Sequence, residues 1–369
     1  MIALRTVCGV AALAFGIAAG FVLLGGPSFP SSFHSDPAGK AYALAASGHP
    51  GDAVAVYSEQ IIRSPKDYVI YLRRGLTLQG LGRNDEALAD FTEALRLSPP
   101  VMTADELGDR VNNLALPETH RLTLARQLHN QRAEILRLLG RPNDALADLD
   151  AAVALNVRDN ETRAQRAVVR TFAGRIGDAV DDFNVILARG PNVNAMIGRA
   201  NAKYLGGDYA GAAEDFGKVL ETAPSKDIYA VWLLKSQLRG HLAIPLKEFE
   251  ALPKSSPAWV GIDALLADHT PAQMAANLAA GMAKDKSLAC DGMVFLGEWL
   301  VIKAEGQNAP AIFQDALDLC RPGTMPHAVA TLELRRLAQV AATPAAPTET
   351  PTVPAILRTT PAANLTPGI

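Results

Sequence analysis

Five stretches of eighteen residues carry one outline of apolar and small positions: Gly48 to Pro65, Gly82 to Pro99, Gly140 to Val157, Gly174 to Pro191 and Gly207 to Pro224. Each opens on glycine, has alanine five residues on (Ala53, Ala87, Ala145, Ala179, Ala212) and a large apolar residue nine on (Tyr57, Phe91, Leu149, Phe183, Phe216). Four of the five close on proline, and seven residues before each glycine stands another small residue: Ala41, Gly75, Ala133, Ala167 or Ala200. A glycine in the left-handed conformation ends one helix, and the window after it supplies a turn and a second helix that stops at proline. The outline therefore predicts a helical hairpin per window. The small residues, one on each helix, let the two backbones approach closely, while the large residue fills the space toward the next hairpin. No hairpin buries that face alone, so neighbours must stack.

The glycines lie 34, 58, 34 and 33 residues apart, and 58 is one 34-residue period plus 24 extra residues. With Tyr71, Gly75, Leu81, Gly82, Ala87, Phe91, Ala94 and Pro99 in register, the unit resembles a tetratricopeptide repeat. That resemblance implies an all-α fold, a solenoid of stacked antiparallel hairpins; composition adds an N-terminal apolar helix and a disordered C-terminal tail outside it. Five units occupy residues 36–224, with an insertion near 102–125 that is helical in pattern and broken at Pro117. Residues 225–338 read as divergent hairpins (YAVWLLKSQL, LKEFEAL, AWVGIDALLA, PAQMAANLAAGMA). They end in a repeat-like unit at 290–322, where Gly297, Ala309, Phe313 and Ala316 keep the spacing, and in a capping helix.

Both ends of the chain differ from the middle. Residues 1–35 hold an uncharged run, Val7 to Leu24, whose eighteen residues reach ~27 Å as a helix, enough for a bilayer core. A signal anchor and a cleaved signal peptide both fit it. Arg5 on one side, with no further Lys or Arg until Lys40, orients the repeats to the periplasmic side of the membrane, or into the periplasm if the leader is cleaved. Residues 339–369 are rich in Pro, Thr and Ala and bury no core.

A net charge of −3 and the absence of a long basic run give no footprint for nucleic acid. The seven histidines include no pair at i,i+4, and no G-x-S-x-G or P-loop pattern occurs, so no catalytic residue, metal site or cofactor is assigned. The carboxylates Asp148, Asp150, Asp181 and Asp182 are expected on a solvated outer face. Cys290 opens the first helix of the last unit and Cys320 closes the second, ends that meet in an antiparallel hairpin; they are expected to form a disulfide, against the alternative of two packed thiols.

In tetratricopeptide repeats the first helices line a concave wall. The resemblance carries partner contacts to Gln127, Asn130, Glu134 and Arg137 in the third unit and to Asn194, Asn201 and Tyr204 in the fifth, a polar strip suited to an extended peptide or a partner helix. The basic clamp of chaperone-binding repeats cannot be assembled, since Ala38, Tyr42, Asn130 and Glu134 stand at its positions. With the leader and the last unit (LGEWL, two cysteines, TLELRRL), the chain resembles the NlpI-like repeat proteins of the proteobacterial envelope. That implies a non-enzymatic scaffold whose partners are proteins or peptides, cell-envelope hydrolases or proteases among them, held at the membrane by the N-terminal segment. An enzyme or enzyme subunit with a site at 225–289, involving His241 or Asp263, and a spacer whose tail docks partners are the competing readings.

Overall fold

The computed structural model describes residues 37–98, 116–222, 229–244, 249, 257–284, 289–303 and 306–342. The leader, residues 99–115 of the insertion, the tail beyond 342 and most of LKEFEAL lie outside the described residues. Among those described the chain is all helical, and its helices stack in pairs as the repeat outline requires.

The five units are α1 (Pro37–Ala46) with α2 (Pro50–Arg63), α3 (Tyr68–Gly80) with α4 (Asn84–Leu97), α5 (Leu116–Leu138) with α6 (Pro142–Leu155), α7 (Asn160–Phe172) with α8 (Ile176–Leu187), and α9 (Val193–Gly206) with α10 (Tyr209–Thr222). Gly48, Gly82, Gly140, Gly174 and Gly207 all have φ between +72° and +88°, as the outline demands. The amide after each glycine bonds back five residues, as in Arg83 to Leu78 and Asp208 to Lys203, so the last carbonyls of the first helix are satisfied inside the turn. At the other end, Asp67, Asp159 and Asn192 cap α3, α7 and α9 with their side chains. Pro117 sits in the first turn of α5, where a proline loses no hydrogen bond because its amide would have no partner; the stretch before it lies outside the described residues.

First helices approach one another along the array (α3 with α5, α5 with α7, α7 with α9) more closely than second helices do. They therefore line the inner wall.

Beyond the fifth unit come α11 (Tyr229–Arg239), α12 (Pro257–Leu266), α13 (Pro271–Lys284), the hairpin α14 (Ala289–Ile302) with α15 (Ala309–Leu319), and α16 (Met325–Ala342), which runs four residues into the stretch expected to be tail. The stack does not simply continue. Helix α14 packs on α11, and α16 returns to α9, so one core joins Ile197, Tyr204, Phe216 and Trp232 to Phe295, Trp299 and Val329. The last unit still keeps a repeat contact: a Cβ on Gly297 would lie 2.6 Å from the Phe313 ring, as one on Gly75 would lie 2.7 Å from Phe91. Phe91 and Phe313 thus rest on the glycine of their own hairpins, whereas Phe183 meets Gly198 of the next one.

Candidate functional site

A groove of about 290 Å³ opens on the inner wall between α7 and α9. Its floor is apolar: Ala164 and Val168 from α7, Phe183 and Ile186 from α8, and Ala195 with Gly198 from α9. Its rim is polar and lies at the starts of the two first helices, with Asn160, Glu161, Asn192 and Asn194. Asn192 is engaged as the cap of α9, accepting from the Ala195 amide at 2.8 Å, and Asn160 accepts from Arg189 at 2.7 Å. Glu161 and Asn194 are exposed. An apolar trough beside amides and one carboxylate suits an apolar side chain on a segment whose backbone is hydrogen-bonded at the rim. The arrangement is one of recognition.

Of the residues expected to touch partners, Asn194 lies on this rim. Gln127 and Asn201 are half-buried on α5 and α9. Asn130 is buried and donates to Thr162 Oγ1 at 2.8 Å, joining the third unit to the fourth. The amide oxygens of Asn130 and Asn201 are buried with no hydrogen-bond partner. Glu134 and Arg137 pair with each other, and Arg137 also donates to the Gly323 carbonyl and lies over the Phe172 ring at 5.3 Å. Tyr204 is not on a free surface. It is wholly buried, donates to Glu298 at 3.0 Å and meets Tyr209 and Trp232 edge-on, and burial, reinforced by Glu298, pushes its phenol well above the ordinary value. Cys290 and Cys320 are joined as a disulfide with Cα atoms 5.0 Å apart. Of the pair considered for catalysis, Asp263 is exposed on α12 and His241 occupies the turn after α11 with φ +51°. Among the described residues no group of three His, Cys, Asp or Glu could hold a metal ion.

Two polar systems were not read from the sequence. The first is a ladder: Arg74 to Asp90, Arg132 to Asp148, Arg166 to Asp182 and Arg199 to Asp215, each a two-point pair at 2.6 to 2.9 Å across one hairpin. Three of these arginines also reach back to the preceding unit, at Ser58, Asp150 and Asn184. All four aspartates are buried, which corrects the assignment of Asp148 and Asp182 to a solvated face. The signal was present as Arg one residue before the small position and Asp fifteen after it.

The second lies under the C-terminal hairpin. Lys235 pairs with Glu298 at 2.5 Å, both about 1 to 2% exposed, with the ammonium 4.2 Å from the Trp232 ring centre. Glu333 binds Arg239 at 3.1 Å and also pairs with Arg336, and Tyr209 accepts from both arginines. Burial works against the charge of Arg239, but Tyr204, Glu333 and Tyr209 hold its guanidinium above the ordinary value. Charges inside the apolar runs WLLKSQL and LGEWL were the clue.

The tetratricopeptide repeat family model matches residues 39–101 and 165–227, covering the first two units and the fourth and fifth. Those two stretches match that family model as tetratricopeptide repeats. Among solved structures, a tetratricopeptide repeat protein from Parabacteroides merdae is 17% identical, with 82% of this chain and 98% of that one covered at a TM-score of 0.51. YrrB, described as a TPR protein with an unusual peptide-binding site, is 19% identical over 52% of this chain and 86% of its own, with a TM-score of 0.41. MamA is 16% identical, covering 50% and 95% at a TM-score of 0.41. The Parabacteroides likeness speaks for the repeat fold alone. No curated protein matches the chain.

Proposed function

We propose that this tetratricopeptide repeat chain is a non-enzymatic adaptor whose inner wall grips an extended segment of a protein partner in the groove between α7 and α9. Tetratricopeptide repeat proteins mediate protein–protein interactions. The observation that carries the reading here is the apolar floor of Ala164, Val168, Phe183 and Ile186 beneath the amide rim on the inner wall. In the same proposal the array works on the periplasmic side of the membrane, anchored or delivered by residues 7–24, and brings cell-envelope enzymes together. The uncharged leader and the Cys290–Cys320 bond, which suits an oxidising compartment, support that location. Among the described residues no helix is long and apolar enough to cross a membrane, so anchoring rests on the leader.

The test is photo-crosslinking in intact cells from Asn194 on the rim and from Asp181 on the exposed side of α8, each in the parent chain and with Ala164→Phe plugging the trough. Capture from Asn194 that Ala164→Phe abolishes supports the groove. Equal capture from Asp181, or capture from Asn194 indifferent to the plug, overturns it.

A further inference from the structure

The C-terminal hairpin returns onto the inner wall, and one covalent bond sits at the root of that return. Directly after Cys320 the chain runs through Arg321, Pro322 and Gly323 onto the end of α5. Gly323 has φ +72°, and a Cβ there would collide with the Arg137 carbonyl. Its own carbonyl accepts from the Arg137 guanidinium, while Pro322 lies against Gly140.

From this pin α16 crosses the turns of the fourth and fifth units. Leu332 and Arg335 approach Gly174, and Arg336 donates to the Leu205 carbonyl at 2.6 Å and to Tyr209 at 2.7 Å. A cation there caps the carbonyl end of α9. Meanwhile Glu298 on α14 covers Tyr204. The cover is held by the apolar core that joins Tyr204 and Trp232 to Phe295, Trp299 and Val329, and by Glu298 and Glu333 paired with Lys235 and Arg239 of α11, while Arg336 steadies Glu333 from within α16.

We propose that α14 to α16 form a redox-gated closure over the turn end of the first helices of the third to fifth units, leaving the groove at their starts open: held shut while Cys290 and Cys320 are bonded, and released when a dithiol reduces them. Cys290 is half-buried whereas Cys320 is 4% exposed, so the attacking thiolate takes the Cys290 sulfur and expels Cys320 as a thiolate, which then takes a proton. The second thiol of the reductant displaces Cys290. The dithiol leaves as a disulfide and the chain keeps two thiols. The bond spans 30 residues, and loss of that link shifts the local opening equilibrium by roughly 10² to 10³-fold. Opening exposes the Asn201 and Tyr204 face of α9 to partners. This regulation rests on the scaffold reading, but its test needs no partner.

The experiment is amide hydrogen exchange on the full chain: oxidised, reduced with dithiothreitol, as C290S/C320S, and as the oxidised Arg336→Gln variant, which loosens the cover without touching the cysteines. Expected is a loss of protection of roughly 100-fold or more confined to residues 289–342 and to Met196–Leu205 in the reduced and serine forms, and in the same segments, to a smaller degree, for Arg336→Gln. Protection of α2 to α4 stays as in the oxidised parent. Identical exchange of 289–342 with and without the bond overturns the closure, and so does a loss spread evenly into α2 to α4. A chain that opens on reduction yet captures nothing from Asn194 would sink the adaptor reading and leave the closure standing.

Discussion

Removing the Asp182 carboxylate should destabilise the array more than removing any exposed acid. Asp182 is 3% exposed and accepts from three arginines: Arg166 at 2.7 and 2.9 Å, Arg163 at 3.1 Å and Arg170 at 2.6 Å. Those side chains are only 12 to 15% exposed, so solvent does little to screen them. Asp182→Ala leaves up to three guanidinium groups crowded together with one neighbouring anion, Asp150, itself half in water. Stripping one partner from a buried pair costs about 3–5 kcal/mol. The exposed pair Arg175 to Asp178, with both side chains near half exposure, sets the control at about 0–1 kcal/mol for Asp178→Ala.

Urea unfolding followed by circular dichroism gives the overall loss. Amide exchange locates it, because a repeat array sums unit stabilities with nearest-neighbour contacts. The loss should appear first in α7 to α9. Asp182→Asn, which keeps two hydrogen-bonding atoms but no charge, should fall between. If Asp182→Ala lies within 1 kcal/mol of Asp178→Ala, by the surface-pair scale, the ladder contributes nothing as a buried ion system and the argument fails.

Three further outcomes follow from the same geometry. Glu298→Ala strands Lys235 and should cost about 3–5 kcal/mol, whereas Tyr204→Phe, Lys235→Met and Glu298→Leu together should sit near the parent; equal destabilisation by both would show that the charge is not what matters. Burial alone would raise the Asp148 carboxyl, but hydrogen bonds from His129 and Arg132 hold it below the ordinary value. A carboxyl depressed on folding stabilises above its unfolded value, near 4, and the contribution fades as pH falls through the lower folded value. Asp148→Asn should therefore flatten the dependence of the urea midpoint on pH below about 4, and an unaltered slope would refute the assignment. Ala164→Phe should leave the unfolding midpoint within about 1 kcal/mol of the parent, measured by the same urea titration, because the trough has room for the ring.

The hairpins were legible because their determinants are local. A left-handed glycine, a proline stop and small residues at fixed offsets act within one 34-residue period, and the structure shows each of them at work. What escaped is non-local. Nothing near Tyr204 in the sequence says that Glu298, 94 residues on, will cover it. The groove was partly visible: Asn194 was named, but its floor residues Ala164 and Phe183 read only as packing until α7 and α9 were seen to leave a gap between them. The ladder was missed for another reason. Aspartates on a helix look solvated when each is taken singly, and only the common offset to an arginine sixteen residues earlier identifies them as buried.

That offset also shows where the ladder itself stops. A buried aspartate on a second helix is tolerable only with an arginine from its own first helix, and in units two, four and five that arginine is also steadied by a polar residue of the unit before. The first unit has Lys40 and Val56 at the two ladder positions, and the last has Leu296 and Ile312. Among the described units the first has no repeat before it and the last joins an apolar core, and each carries a β-branched aliphatic residue where the ladder has its carboxylate. In the last unit Glu298, two residues along α14 from the ladder's arginine position, turns to Lys235 and Tyr204 instead. The ladder is thus not required for stacking, since the first unit lacks it and still packs on α3; in the last unit, where it is also absent, the hairpin folds back on the stack. Restoring Arg at Leu296 and Asp at Ile312 would set a buried pair against the apolar core around Trp299. Loss of α14 to α16 protection in exchange, with α2 to α4 unchanged, is the outcome this logic requires.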